Sequence, residues 1–167
     1  MTAWSVFLPP AAAIDLMRER QGELDQLFAH LPLPSRAQAS GTWKGSLMAL
    51  RGLGWLPRPL GQQVYRLLAL PINPWQGKRL DRDSGDNCWL HPEGPAFGHF
   101  RITQGPSPVD GQPALLLDYD VTENPALLRR IRGEARLFNE ELLLARMNWQ
   151  TRNGQICLLY FTLSRVE

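Results

Sequence analysis

A chain of 167 residues with 44% hydrophobic and 20% charged residues is long enough for one domain with a sizeable core and ordinary for a globular fold. A net charge of +2, without a dense basic cluster interleaved with aromatics, argues against nucleic acid as a partner. No apolar run reaches the length of a membrane-crossing helix, so no integral membrane segment is expected.

The N-terminal run MTAWSVFLPPAAAIDLMRER has an apolar patch and an alanine stretch but no basic leader, and Pro9-Pro10 interrupts the patch. A cytoplasmic protein is expected rather than a secreted one. Residues 11–31 read as a helix, with Ile14, Met17, Leu24, Leu27, Phe28 and Leu31 near helical spacing, ended by Pro32 and Pro34. Thr42 to Leu50 reads as a strand, Leu53 to Pro59 as a Gly/Pro loop, and Leu60 to Leu70 as an inserted amphipathic helix stopped by Pro71.

Short strands follow at Trp75 to Leu80, Asn87 to Leu90, Phe97 to Thr103 and Ala114 to Tyr119, with turn clusters at Asp83-Ser84-Gly85-Asp86 and Asp110-Gly111. Asn124 to Arg132 reads as a helical turn with Pro125 at its first position. Two long strands, Leu142 to Trp149 and Gln155 to Ser164, flank Arg152-Asn153-Gly154, whose Asn-Gly pair signals a hairpin. The sum is a mainly β single domain over 1–167: seven or eight strands forming an antiparallel β-barrel over 41–165, with an N-terminal helix and one inserted helix.

Gly41-Thr42-Trp43-Lys44-Gly45 puts a large ring between two positions without side chains on one strand face, so another part of the chain can approach closely. The last strand is apolar on both faces, Cys157, Leu159, Phe161 and Leu163 on one and Ile156, Leu158 and Tyr160 on the other. Its outer face therefore needs a helical cover, or its inner face lines an apolar cavity. Cys88 and Cys157 lack the Cys/His spacing of a zinc site and read as small core hydrophobes in a reducing compartment.

Leu27-Phe28-Ala29-His30-Leu31-Pro32, then Gly41-Thr42-Trp43-Lys44-Gly45, then Trp75-Gln76-Gly77-Lys78-Arg79-Leu80 resemble, in order, the parts of the GXWXG domain family. The match covers about a third of the chain. The resemblance implies a lipocalin-like or calycin-like β-barrel, no settled activity, and lipid or other small apolar ligands as a use for the barrel.

Several side chains are candidates for chemistry. Asp118, after Ala114-Leu115-Leu116-Leu117, is placed just inside a barrel mouth, where desolvation would suit it as an acid or base; the plainer reading is an ion pair with a nearby arginine or a turn cap. Tyr119 faces the other way, and Tyr119 or Tyr160 would be the proton donor. Arg129 and Arg132, on one helical face, would clamp a carboxylate or phosphate; the plainer reading is a solvated surface paired with nearby glutamates. Arg146, alone among Leu142-Leu143-Leu144-Ala145 and Met147, is expected to point inward and bond an acid or a ligand head group.

His91 and His99 have no second ligand at metal spacing, so neither metal nor cofactor is expected; His99 stays a ligand-contact candidate with Lys44 and Lys78. Trp43 and Trp75 read as barrel core and as ligand-contact candidates, Trp55 and Trp89 as a pocket rim, and Trp4 as packing an N-terminal segment or left exposed.

The leading expectation is a binding protein or carrier for a small apolar or amphiphilic molecule with an acidic head group, held in the barrel mouth. A cofactor-free isomerase or cyclase using Asp118 with Arg146 as charge stabiliser is the enzymatic alternative. A solid barrel serving as a protein-interaction module is the third. Either long C-terminal strand, left as an edge, would pair with a second copy into a homodimer.

Overall fold

The computed structural model describes residues 21–50, 75–90 and 96–166. The first half of the expected N-terminal helix, the Leu53 to Pro59 loop, the Leu60 to Leu70 helix, and Trp4, Trp55 and His91 lie outside the described residues. Among the described residues two helices, α1 (Gln21–His30) and α2 (Arg36–Ala39), precede eight strands. The strands are β1 (Gly41–Leu50), β2 (Trp75–Leu80), β3 (Ser84–Trp89), β4 (Ala96–Pro106), β5 (Pro113–Asp118), β6 (Ile131–Asn139), β7 (Leu142–Thr151) and β8 (Gly154–Arg165). Each pairs antiparallel with its sequence neighbour, and β1 pairs with β8 to close the barrel. Among the described residues no helix is long and apolar enough to cross a membrane.

Alternation fills the interior. Trp43, Leu80, Phe100, Leu117, Ala145 and Phe161 belong to one buried cluster drawn from strands all round the wall. Trp43 is fully buried, as its motif suggests, but its cap is α2 rather than the longer α1. The indole nitrogen donates to the Ala39 carbonyl at 2.7 Å, and the Arg165 guanidinium lies over the ring, 4.4 Å from its centroid. A capping box, with Ser35 accepting from the Gln38 amide and Gln38 answering to the Ser35 amide, holds so short a helix in place.

Helix α1 lies outside the barrel. Its Leu24 and Phe28 pack with Leu142, Leu144, Cys157 and Tyr160, which supplies the cover that the doubly apolar last strand requires. A bulge corrects one detail of that strand. Met147 pairs with Leu159 but Asn148 pairs with Cys157, so Leu158 is an extra residue and Cys157 faces outward while Leu159 faces the core.

The segment expected to be helical from Asn124 to Arg132 holds only a 3-10 turn at Leu128–Arg130, and β6 starts at the next residue. There Gly133 and Ala135 face inward while Arg132, Glu134 and Arg136 face outward, a period of two among what read as helix-surface charges. The last hairpin turns on Arg152-Asn153, with Thr151 pairing Gly154, whose φ of 128° suits glycine; the expected Asn-Gly turn is thus displaced by one residue. Ser84 likewise opens β3 instead of lying in a turn.

Candidate functional site

Strand β2 carries a bulge between Trp75 and Gly77, and Gly77 adopts a φ of 143°. A β-carbon there would stand 1.9 Å from the Trp43 carbonyl oxygen, so only glycine allows the two backbones this close. The next residue, Lys78, pairs with Trp43 on one side and Asn87 on the other and points inward with both. It is 1% exposed.

The Lys78 ammonium nitrogen Nζ lies 2.6 Å from Asn87 Oδ1 and also donates to the Tyr119 hydroxyl. Asn87 Oδ1 accepts in addition from the Trp75 indole at 3.2 Å and from the Tyr119 hydroxyl at 3.3 Å. Four rings surround the amine, with centroids at 5.0 Å for Phe100, 5.2 Å for Tyr119, 5.4 Å for Phe161 and 5.7 Å for Trp75. Among the described residues its hydrogen-bond partners are these two neutral groups, and no carboxylate pairs with it.

Burial pulls the amine's pKa down from 10.5 to about 7; Cys88 pulls the other way, but only as a thiolate, and its own pKa is pushed up by burial. Burial also pushes the Tyr119 phenol upward, against a smaller lowering from its Asn87 hydrogen bond. At neutral pH the interior therefore holds an amine poised between charged and neutral beside a phenol that keeps its proton.

Arg146 does not point into the barrel. It lies abreast of Glu134 on β6 and Tyr160 on β8, all on the outer face beneath α1 and the loop after β4. Its expected acidic partners are present: Glu134 Oε2 at 2.7 Å and Asp110 Oδ2 at 3.0 Å, with the Ser107 hydroxyl at 2.9 Å. Burial alone would lower its pKa, but Glu134 and Tyr160 outweigh that and raise it. The Tyr160 hydroxyl donates to Asp25 on α1 at 2.7 Å. Arg136 binds the Phe28 carbonyl at 2.6 Å and Asp110 at 2.7 Å. The guanidinium carbons of Arg136 and Arg146 stand 4.3 and 4.4 Å from the Phe28 ring centroid. This network clasps α1 and the loop to the wall. An open groove of about 420 Å³ runs along it past Asp25, Asp110, Arg146 and Cys157.

Asp118 also faces outward. It pairs with Arg101 at 2.9 Å and Arg132 at 3.3 Å and accepts from the Asp120 amide at 3.0 Å, which is the plainer of its two readings. Asp118, Tyr119, Tyr160 and Arg146 are not one constellation: Tyr119 alone reaches the interior, so the expected mouth acid is replaced by a lysine. Arg129 donates to the Asn124 and Thr122 carbonyls, and Arg132 to those of Arg129 and Ile131, so both tie down the loop rather than form a clamp. His99 pairs with Asp86, and its amide donates to Asn124. Lys44 alternates with Trp43 and sits on the outer face of β1 opposite Ser164, its pKa lowered by burial.

Of the sequence candidates, the interior gathers Trp43, Trp75, Lys78 and Tyr119. Asn87, Phe100 and Phe161 complete the site without having been singled out; the strand alternation that carries Lys78 and Leu80 inward was the available signal.

No protein-family model and no curated protein matches the chain. A solved structure of a protein from Thermomonospora curvata is similar over 94% of this chain and 95% of its own length, with a TM-score of 0.61 and 19% identity. At that identity the likeness concerns the fold.

Proposed function

We propose that this barrel is a binding protein for a small apolar or amphiphilic molecule whose acidic head group meets Lys78. The observation that carries this reading is a fully buried lysine amine with no carboxylate partner among the described residues. A buried ammonium without a counter-ion costs several kcal/mol, and an anion brought beside it offsets much of that cost. The surrounding rings supply the apolar wall for the rest of the molecule. The resemblance to the GXWXG family and its lipocalin-like barrels is consistent with this use.

The strand ends support entry on the side of Trp75. The end near β1 Gly41 is closed by α2 and Trp43, whereas Trp75 lies at the opposite end, where β1 leaves and β2 begins. The enzymatic alternative built on Asp118 has no support from geometry, since that carboxylate is engaged by two arginines outside the wall.

The test is titration with decanoate, followed by intrinsic tryptophan fluorescence. Saturable binding by the wild type, weakened roughly tenfold or more in Lys78→Met, is expected for the loss of one charge partner worth about 1.4 kcal/mol. Equal affinity in the two proteins, or no binding by the wild type, refutes the reading.

A further inference from the structure

We propose that Lys78 also captures apolar aldehydes and ketones covalently, as an imine formed inside the barrel. The inference rests on the reading that the interior admits a small apolar molecule, and it adds a bond-forming chemistry to the same amine.

Three observations converge on it. First, the sequence contains two lysines, Lys44 and Lys78, against 16 arginines. Arginine never releases its proton at physiological pH, whereas an ammonium does, and the cation enclosed by the barrel's aromatic rings is one of the two that can become a nucleophile. Second, the amine is buried and no carboxylate among the described residues pairs with it, and burial lowers its pKa to about 7. Third, the group touching Nζ is the Tyr119 phenol, a proton donor and acceptor, while Asn87 Oδ1 at 2.6 Å orients the amine without competing for a carbonyl carbon.

The chemistry closes without a further reagent. The Nζ lone pair bonds the carbonyl carbon, and the π pair moves to oxygen, which takes one of the nitrogen's two protons to give a carbinolamine. Its C–O bond then breaks as Tyr119 protonates the leaving hydroxyl, and the nitrogen's remaining proton passes to the phenolate. Amine plus carbonyl becomes imine plus water, and Tyr119 ends as it began. Burial keeps the phenol protonated for that role, and exclusion of solvent from the barrel interior would favour the imine over its hydrolysis.

The test incubates the purified full chain with decanal and sodium cyanoborohydride at pH 7.5, a probe condition chosen near the Lys78 pKa of about 7. Adducts are located by peptide mapping, and decanoate binding is measured on the same preparation. The expected result is alkylation at Lys78 roughly tenfold or more faster than at Lys44 or the N-terminal amine, slowed at least tenfold by Tyr119→Phe. Lys44 is an internal control that requires no variant to fold. Decanoate binding without alkylation of Lys78 overturns the capture and leaves the binding reading intact. Alkylation of Lys78 without decanoate binding supports the capture and overturns the acidic head group. Alkylation confined to Lys44 and the N-terminus, without decanoate binding, overturns both. Unchanged kinetics in Tyr119→Phe overturn the assignment of that phenol.

Discussion

The indole of Trp75 occupies the space that a side chain on Gly45 would need: a β-carbon there would stand 2.2 Å from the ring. The glycine that ends the first sequence motif is thus the seat of the tryptophan that begins the second. Trp75 in turn sets its ring edge-on against Phe161 at 5.3 Å and holds Asn87, which orients Lys78. A vacancy in one strand therefore positions an amine on the neighbouring strand.

Gly45→Ala should displace that ring. Overpacking of this kind costs about 1–3 kcal/mol, read as a lower urea midpoint with an unchanged slope. Adding Trp75→Leu should recover part of the loss. If the two substitutions simply add, Gly45 and Trp75 are not coupled as described.

Stability should climb with pH between about 7 and 9 through Lys78. Its folded pKa of about 7 lies below the ordinary 10.5, so in this window the unfolded chain holds a proton that the folded chain has released. Below the folded value both states are protonated and the full penalty for burying the charge applies. The wild type should gain up to about 1.4 kcal/mol per pH unit relative to Lys78→Met. The window stops near 9 because the Cys88 thiol, raised above its ordinary 9.0 by burial, acts in the opposite direction beyond it. A flat difference between the two denaturation series would contradict the burial argument.

Glu134→Gln should destabilise the protein by about 3 kcal/mol, because Arg146 stays buried with half of its counter-charge gone. The double change Glu134→Met with Arg146→Met removes both members of this ion pair and should cost clearly less than the sum of the single changes. A coupling energy near zero in that cycle would mean that the pair does not act as a unit.

Asp118→Asn, in contrast, should cost no more than about 1 kcal/mol, since its ion pairs are partly solvated. Decanoate affinity should be unchanged. A large loss of affinity would return Asp118 to the ligand site.

The sequence declared most strands through alternation, yet alternation alone could not say which face was inner. In Ala114-Leu115-Leu116-Leu117-Asp118-Tyr119 both faces are apolar, so the pattern opposes Asp118 to Tyr119 without showing that Tyr119 is the one facing the core. Arg146 had the same ambiguity, because Leu142 and Leu144 lie beneath α1 on its own face. Strand β6 was hidden for a related reason: Arg132, Glu134 and Arg136 read as solvated charges, and only the clasp with α1 and the 107–112 loop makes Glu134 and Arg136 buried. The bulge that turns Cys157 outward has no local signal at all. Lys78 and both motif tryptophans were visible because glycines marked the close approaches around them.

The seam between β1 and β8 has a consequence in time. Trp43 pairs with Arg165 and Leu47 with Phe161, so the barrel cannot close until β8 has been synthesised. Until then the nascent chain presents two unpaired strand edges and an uncovered aromatic lining. Closure over so long a stretch of chain is intrinsically slow, so the folding rate should be sensitive to changes in β8.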